Sequence, residues 1–242
     1  PAFVATAAYR IGADTVHIAT PDKAYPVIAS FSPNFIVHSL GGSRLVRADA
    51  ATVLDLASEM DAVVIGPGLG NSDATLEAIR EIVRGLTVPI VLDADAFPAL
   101  SGHLDLLKGK RGVMTPHARE FAVVSGEKAP PDLESKAAAA RAFAKKTGFT
   151  ILLKGPADVV TDGDQVKYAR GGNPGMTVGG TGDLLAGLTG GLLAKHAAPY
   201  EAARLAAFTN KYAGDLAFED LSYGMTAQDV ADRVPRVLKK FL

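Results

Sequence analysis

The sequence predicts an α/β domain with a mainly parallel sheet covered by helices on both faces. Three observations predict it. Nearly continuous apolar runs such as Ala62-Val63-Val64-Ile65, Pro89-Ile90-Val91-Leu92 and Thr150-Ile151-Leu152-Leu153 read as strands buried on both sides. Longer Ala- and Leu-bearing segments separate them, with room for the crossover helices that parallel strands require. The 242 residues, 48% of them apolar, suffice for one such core. No linker, repeat or low-complexity tract divides the chain, so one domain over 1–242 is expected.

Residues 1–12 read as a small-residue helix with Phe3, Ala7 and Ile11 on one face. Thr15-Val16-His17-Ile18-Ala19 is a strand stopped by Thr20-Pro21, residues 22–30 a helix, and Phe35-Ile36-Val37-His38 a strand. A helix over 49–59 takes Asp49 as its N-cap. Strand 62–65 enters the turn Gly66-Pro67-Gly68-Leu69-Gly70, and a helix over 72–85 precedes strand 89–92, which ends in Asp93-Ala94-Asp95. Gly112-Val113-Met114 leads into Thr115-Pro116-His117 and a short helix carrying Glu120 and Phe121. A helix over 132–148 precedes strand 150–153, which ends in Lys154-Gly155. Asp162-Gly163, between Val159-Val160 and Gln165-Val166-Lys167-Tyr168, signals an antiparallel hairpin at the edge of the sheet. Three helices, over 183–196, 201–218 and 227–241, close the chain.

A net charge of −1 gives no global field for nucleic acid or a membrane surface. No run of about 18 apolar residues suggests a membrane span, and the absence of cysteine excludes disulfides and thiolate chemistry and fits a cytoplasmic protein. The five histidines lack metal-ligand spacing. His17 and His38 interrupt strands, His103 and His196 stand near helix ends, and only His117 occupies a strand's carboxyl end beside other polar groups.

In open parallel sheets ligands bind beyond the carboxyl ends of the strands, and the distinctive loops fall there. Gly66–Gly70 fits a ligand loop or a tight strand-to-helix turn, but not a dinucleotide fingerprint, since its third glycine is one position early. Asp93 and Asp95 share side-chain parity; they suit Mg²⁺ held through water or, more simply, capping of the next short helix, with Asp95 on its N–H groups. Lys154-Gly155-Pro156-Ala157-Asp158 can offer a point charge to a phosphate or be a turn with a solvated lysine.

The strongest signal is Asn173-Pro174-Gly175-Met176-Thr177-Val178-Gly179-Gly180-Thr181-Gly182-Asp183, with five glycines in eleven residues. Such a run before a helix lets backbone N–H groups hold an anion. Asp183 is then placed to accept the proton of an attacking hydroxyl beside the held phosphate. A hinge with Asp183 as N-cap would not need so many glycines.

Taken in order, Gly66–Gly70, Val91-Leu92-Asp93-Ala94-Asp95-Ala96, Thr115-Pro116-His117 with Glu120, Leu153-Lys154-Gly155 and the run from Asn173 to Gly187 resemble the ADP-dependent NAD(P)H-hydrate dehydratase family, over nearly the whole chain. The resemblance implies a three-layer ribokinase-like fold and dehydration of the hydrated cofactors NADHX and NADPHX, with ADP (or ATP) consumed and AMP and phosphate released. It assigns Asp183 as the base. Gly68, His117 and Asp183 would contact the hydrate, while Lys154, Gly155, Pro156, Ala157, Asp158, Asn173, Gly179, Gly180, Thr181 and Gly182 would hold the nucleotide, with Mg²⁺ on the diphosphate. It also implies a homotetramer, a strand ahead of Pro1 and an upstream or separate hydrate epimerase.

Three residues, in two loops, depart from the family pattern. Ala118-Arg119 replaces Pro-Gly after His117, which bears on the shape of that loop, and Asp158 replaces threonine beside the expected phosphates. The rival readings are a kinase of a hydroxymethylpyrimidine or thiazole alcohol on the same fold, and a non-catalytic nucleotide-binding module.

Overall fold

The computed structural model describes residues 1–241. The chain runs α1 (Ala2–Arg10), β1 (His17–Thr20), α2 (Tyr25–Ser30), β2 (Ile36–Ser39), α3 (Ala50–Ser58), β3 (Val63–Ile65), α4 (Asp73–Gly85), β4 (Ile90–Leu92) and α5 (Ala96–Leu100). It continues with β5 (Gly112–Met114), α6 (Ala118–Ser125), α7 (Leu133–Thr147), β6 (Thr150–Leu153), β7 (Asp158–Thr161), β8 (Val166–Ala169), α8 (Thr181–Ala194), α9 (Pro199–Leu221) and α10 (Ala227–Phe241). The expected alternation is present, with ends moved by a few residues; the second helix starts at Tyr25 rather than Asp22.

Six strands pair in chain order from β3 to β8. The first four are parallel, and β7 and β8 return antiparallel around Gly163. Side-chain alternation divides the strands between two cores. Ile90, Leu92, Met114, Ile151 and Leu153 face the side covered by α3 to α7. Val91, Val113, Leu152 and Val160 face α8, α9 and α10, with α1 lying against α8. Burial on both faces is why these strands carry no polar alternation.

β1 and β2 do not extend this sheet but form a parallel pair of their own, with His17 opposite Ile36. The second edges of β1 and β3 have no strand partner among the described residues. Between them lies a largely apolar cavity of about 660 Å³ lined by β1, β3, α1 and α3. At its border His17 and His38 stack with ring centroids 5.1 Å apart, and His17 Nδ1 lies 2.9 Å from His38 Nε2.

Ser72 and Asp132 cap α4 and α7 through the N–H groups of Thr75 and Ser135. The expected Asp49 cap is corrected. Its carboxylate reaches back to the Val46 N–H at 2.9 Å instead of to α3, because Asp49 closes a single 3₁₀ turn that precedes the helix. No helix among the described residues is long and apolar enough to cross a membrane.

Candidate functional site

Four loops meet where β3, β4, β5 and β6 end. Asp93, one residue past β4, is 2% exposed. One of its carboxylate oxygens accepts from the Thr115 hydroxyl at 2.8 Å and the Lys154 ammonium at 2.9 Å. Lys154 also lies 3.5 Å from Glu120. Burial opposes the lysine's charge, but the Asp93 and Glu120 carboxylates outweigh it and hold the Lys154 pKa above its ordinary value. The Lys154 N–H donates to the Pro116 carbonyl at 2.8 Å, so the β5 and β6 loops are joined backbone to backbone.

His117 stands at the N-cap of α6. Its Nδ1 accepts from the Arg119 and Glu120 N–H groups, both at 3.1 Å, which leaves the neutral ring's proton on Nε2. Glu120 returns the bond by accepting from the His117 N–H at 2.8 Å, forming a reciprocal capping box. Ala118 and Arg119, the departures from Pro-Gly, are simply the first two residues of this helix.

Gly66 follows β3 with φ +130°, and a Cβ there would lie 1.6 Å from the Asp93 carbonyl oxygen. Only glycine fits so close an approach. The Gly66 and Asp93 loops are therefore pressed together, and Asp95 tightens them by accepting from the Gly70 N–H at 2.8 Å. This corrects the capping role expected for Asp95, whose side chain makes no bond to α5. The Asp93 and Asp95 carboxylates, the pair read as suiting Mg²⁺ held through water, share no protein partner. Each carboxylate is already engaged by a different partner, and among the described residues no three His, Cys, Asp or Glu side chains could together hold a metal ion.

The glycine run wraps into the start of α8. Gly180 has φ +98° at the N-cap position, packed on Phe3 and Ala227. The Thr181 hydroxyl donates to the Met176 carbonyl at 2.8 Å, tying the run to the helix it begins. Gly179 faces open space, and a Cβ on Gly182 would lie 3.5 Å from the Lys154 ammonium. The first turn of α8 thus presents its unpaired N–H groups and positive dipole end beside that cation. Asp183, in the same turn, is half-buried. Burial pushes its carboxyl above the ordinary value and Asp93 adds to the push, while the Pro1 amino group and Lys154 oppose it.

Asn173 donates to the Gly214 carbonyl and the Asp215 carboxylate at 3.1 and 3.0 Å, and its own oxygen is buried without a partner. Asp158 is turned inward: it accepts from the Gly155 N–H at 2.9 Å and faces Lys211 at 3.5 Å.

The family described as NAD(P)H-hydrate dehydratase matches residues 1–236. The chain belongs to the NAD(P)H-hydrate dehydratase family. The bifunctional NAD(P)H-hydrate repair enzyme Nnr of Pyrobaculum aerophilum is 42% identical over 243 residues, covering 100% of this chain and 48% of the relative. The ADP-dependent (S)-NAD(P)H-hydrate dehydratase of Cenarchaeum symbiosum is 37% identical over 243 residues, covering 100% and 84%. The chain spans about half the length of the first curated relatives it matches. Among solved structures, the ADP/ATP-dependent NAD(P)H-hydrate dehydratase of Bacillus subtilis co-crystallized with ATP/Mg²⁺ superimposes with a TM-score of 0.81 at 25% identity, covering 100% of this chain and 84% of that one. The fold is ribokinase-like.

In this family member the sequence-predicted residues Asp93, His117, Lys154, Gly182 and Asp183 converge on one rim. Gly68 borders it next to Pro1, a Cβ there lying 3.7 Å from the proline Cδ. Asn173 and Asp158 point their side chains into the protein instead. Sequence reasoning missed Lys211. Its signal was a lysine four residues from Ala207 and eight from Ala203, on the buried face of α9.

Proposed function

We propose that this domain dehydrates NADHX or NADPHX at the expense of ADP. The observation that carries the reading is Asp183: an unpaired carboxylate in the first turn of α8, held beside Lys154 and an open glycine run, with its proton affinity raised by burial. A carboxylate of raised pKa is a better proton acceptor once ionised, and the helix terminus beside it suits a diphosphate.

In this reading Asp183 takes the proton of the hydrate's ring hydroxyl, whose oxygen attacks the terminal phosphorus of ADP; the bond to the bridging oxygen breaks and AMP leaves. The ring nitrogen's electron pair then expels phosphate from the adjacent carbon, and loss of a proton from the next carbon restores NAD(P)H. Gly68 and His117 would contact the hydrate. Lys154 through Ala157, Asn173 and Gly179 through Gly182 would hold the nucleotide, and the inward-turned Asp158 would brace its loop. Mg²⁺ would supply charge neutralisation on the diphosphate; the described residues offer no cage for it, which suits an ion held largely by phosphate and water.

The reading extends to a strand ahead of Pro1 in the cavity between β1 and β3. Two facing unpaired edges support it, as does Pro1 beside Gly68, where a strand parallel to β3 would hand over to α1. The longer bifunctional relatives support a second domain, taken here as a hydrate epimerase. A homo-oligomer fits the exposed Phe208, Tyr223 and Phe241. The names of the relatives at 37–42% identity favour the dehydratase over the alcohol kinase, because the thiazole-kinase neighbour at 21% shows only the fold.

The deciding experiment mixes the protein with NADHX, ADP and Mg²⁺ and follows NADH absorbance. Phosphorylation of a pyrimidine or thiazole alcohol without any NADH signal from ADP or ATP would reverse the assignment.

A further inference from the structure

Lys211 is far in sequence from the rim, yet its ammonium is built into the wall behind it. Its side chain is 9% exposed and that of Asp158 is 7%. Three oxygens surround the ammonium: the Asp158 carboxylate at 3.5 Å and the carbonyls of Gly155 and Pro156 at 3.2 and 3.1 Å. Two of its three donors go to the carbonyls, and the carboxylate supplies the counter-charge. The other Asp158 oxygen accepts from the Gly155 N–H at 2.9 Å. One buried charge pair therefore fastens both ends of the loop from Gly155 to Asp158. The same ammonium abuts the second glycine-bearing loop, 3.7 Å from where a Cβ on Gly172 would stand.

The peptide geometry carries a consequence. A trans peptide points its C=O and N–H in opposite directions, and the peptides of this loop are trans. With the Pro156 carbonyl turned to Lys211, the Ala157 N–H points away from it. The preceding residue is proline and offers no N–H, and the Gly155 N–H is already taken. The Ala157 N–H is thus the donor that this loop keeps free, on a partly exposed residue. A buried ion pair adds little stability beyond what an apolar pair of the same size would give, so its value lies in geometry.

We infer that Lys211 is a positioning residue for the nucleotide: by drawing the Gly155 and Pro156 carbonyls inward, it presents the Ala157 N–H to an oxygen of the bound nucleoside diphosphate. The inference rests on the nucleotide-binding reading of this loop proposed above.

Lys211→Met keeps the aliphatic stem and removes the charge; Lys211→Arg keeps the charge with a different head. For each, ADP binding by calorimetry and the kcat and KM values for ADP and NADHX are measured at a temperature where circular dichroism shows the protein folded. In Lys211→Met the ADP KM and Kd should rise about tenfold, the order of one lost charge-assisted hydrogen bond, while kcat at saturating ADP and the NADHX KM stay near wild type; Lys211→Arg should fall between. A folded Lys211→Met with unchanged ADP affinity would overturn the inference, as would ADP and NADHX KM values rising together. If Lys211→Met does not fold, Lys211→Arg decides, and wild-type ADP affinity there overturns it. A wild-type protein that binds no ADP would remove the underlying reading and this inference with it, whereas normal wild-type binding with a silent Lys211 variant removes the inference alone.

Discussion

The Lys154 ammonium lies 2.9 Å from the carboxylate of Asp93, a residue only 2% exposed. The cation at the end of β6 is therefore anchored to the end of β4, and the expected phosphate ligand is also the counter-charge of a buried acid. Lys154→Met should destabilise the fold by about 3 kcal/mol, because it strands that acid. Lys154→Met with Asp93→Asn should recover much of the loss. Urea denaturation of the two singles and the double gives the coupling directly, and additive effects would contradict it.

Asp183 is different, since no hydrogen bond or ion pair among the described residues holds its carboxylate, which burial disfavours. Asp183→Asn should lower kcat by about 10²- to 10⁴-fold, the usual worth of a positioned base. ADP should still bind. The Tm should not fall, because the variant relieves a desolvated carboxylate. Calorimetry with ADP and a thermal melt separate these effects, and a large loss of ADP binding would argue against the role.

The raised Asp183 pKa fixes a pH dependence. Turnover needs the carboxylate, so kcat/KM should fall with unit slope as pH drops through a pKa above the ordinary 3.8. Stability has the opposite sign. A carboxyl whose folded pKa exceeds its unfolded value binds more protons in the native state between the two, so stability declines as pH rises through that window. Asp183 and Asp158 both contribute, since burial raises each. Asp183→Asn should abolish the acid limb of activity and flatten part of the stability slope, which paired pH profiles would show.

Gly66 and Gly70 make an internal control, both having positive φ in one turn. At Gly66 a Cβ would strike the Asp93 carbonyl, whereas at Gly70 it meets open space. Gly66→Ala should cost at least about 3 kcal/mol, as expected when backbone must move. Gly70→Ala should cost about 1 kcal/mol, the left-handed strain alone. Equal losses by chemical denaturation would refute the close-contact account.

Much of the fold and of the rim is legible in the amino-acid sequence. The runs ending at Ile65, Leu92, Met114 and Leu153 declare buried parallel strands, and the polar residues just past them declare the rim. The features that local pattern misses depend on the third dimension. Nothing local tells that β1 and β3 lie with unpaired second edges on the two sides of one cavity, since pairing order is a long-range property. Asp49 and Asp95 occupy cap positions in sequence, but a nearer N–H, of Val46 or of Gly70, takes each carboxylate. Lys211 escapes notice because its neighbours in an alanine-rich helix resemble a core, and its partners lie more than fifty residues away.

The open second edges of β1 and β3 also give the two sides of the site different stiffness within these 242 residues. The nucleotide side rests on β4 to β7, each held by neighbours on both flanks, while Gly68 borders an edge with a cavity at its back. Local opening follows missing contacts. In these 242 residues amides of β1 and β3 should therefore exchange with solvent well before those of β5 and β6, whereas a strand pairing both edges would firm the wall that faces the hydrate to match the floor beneath the nucleotide.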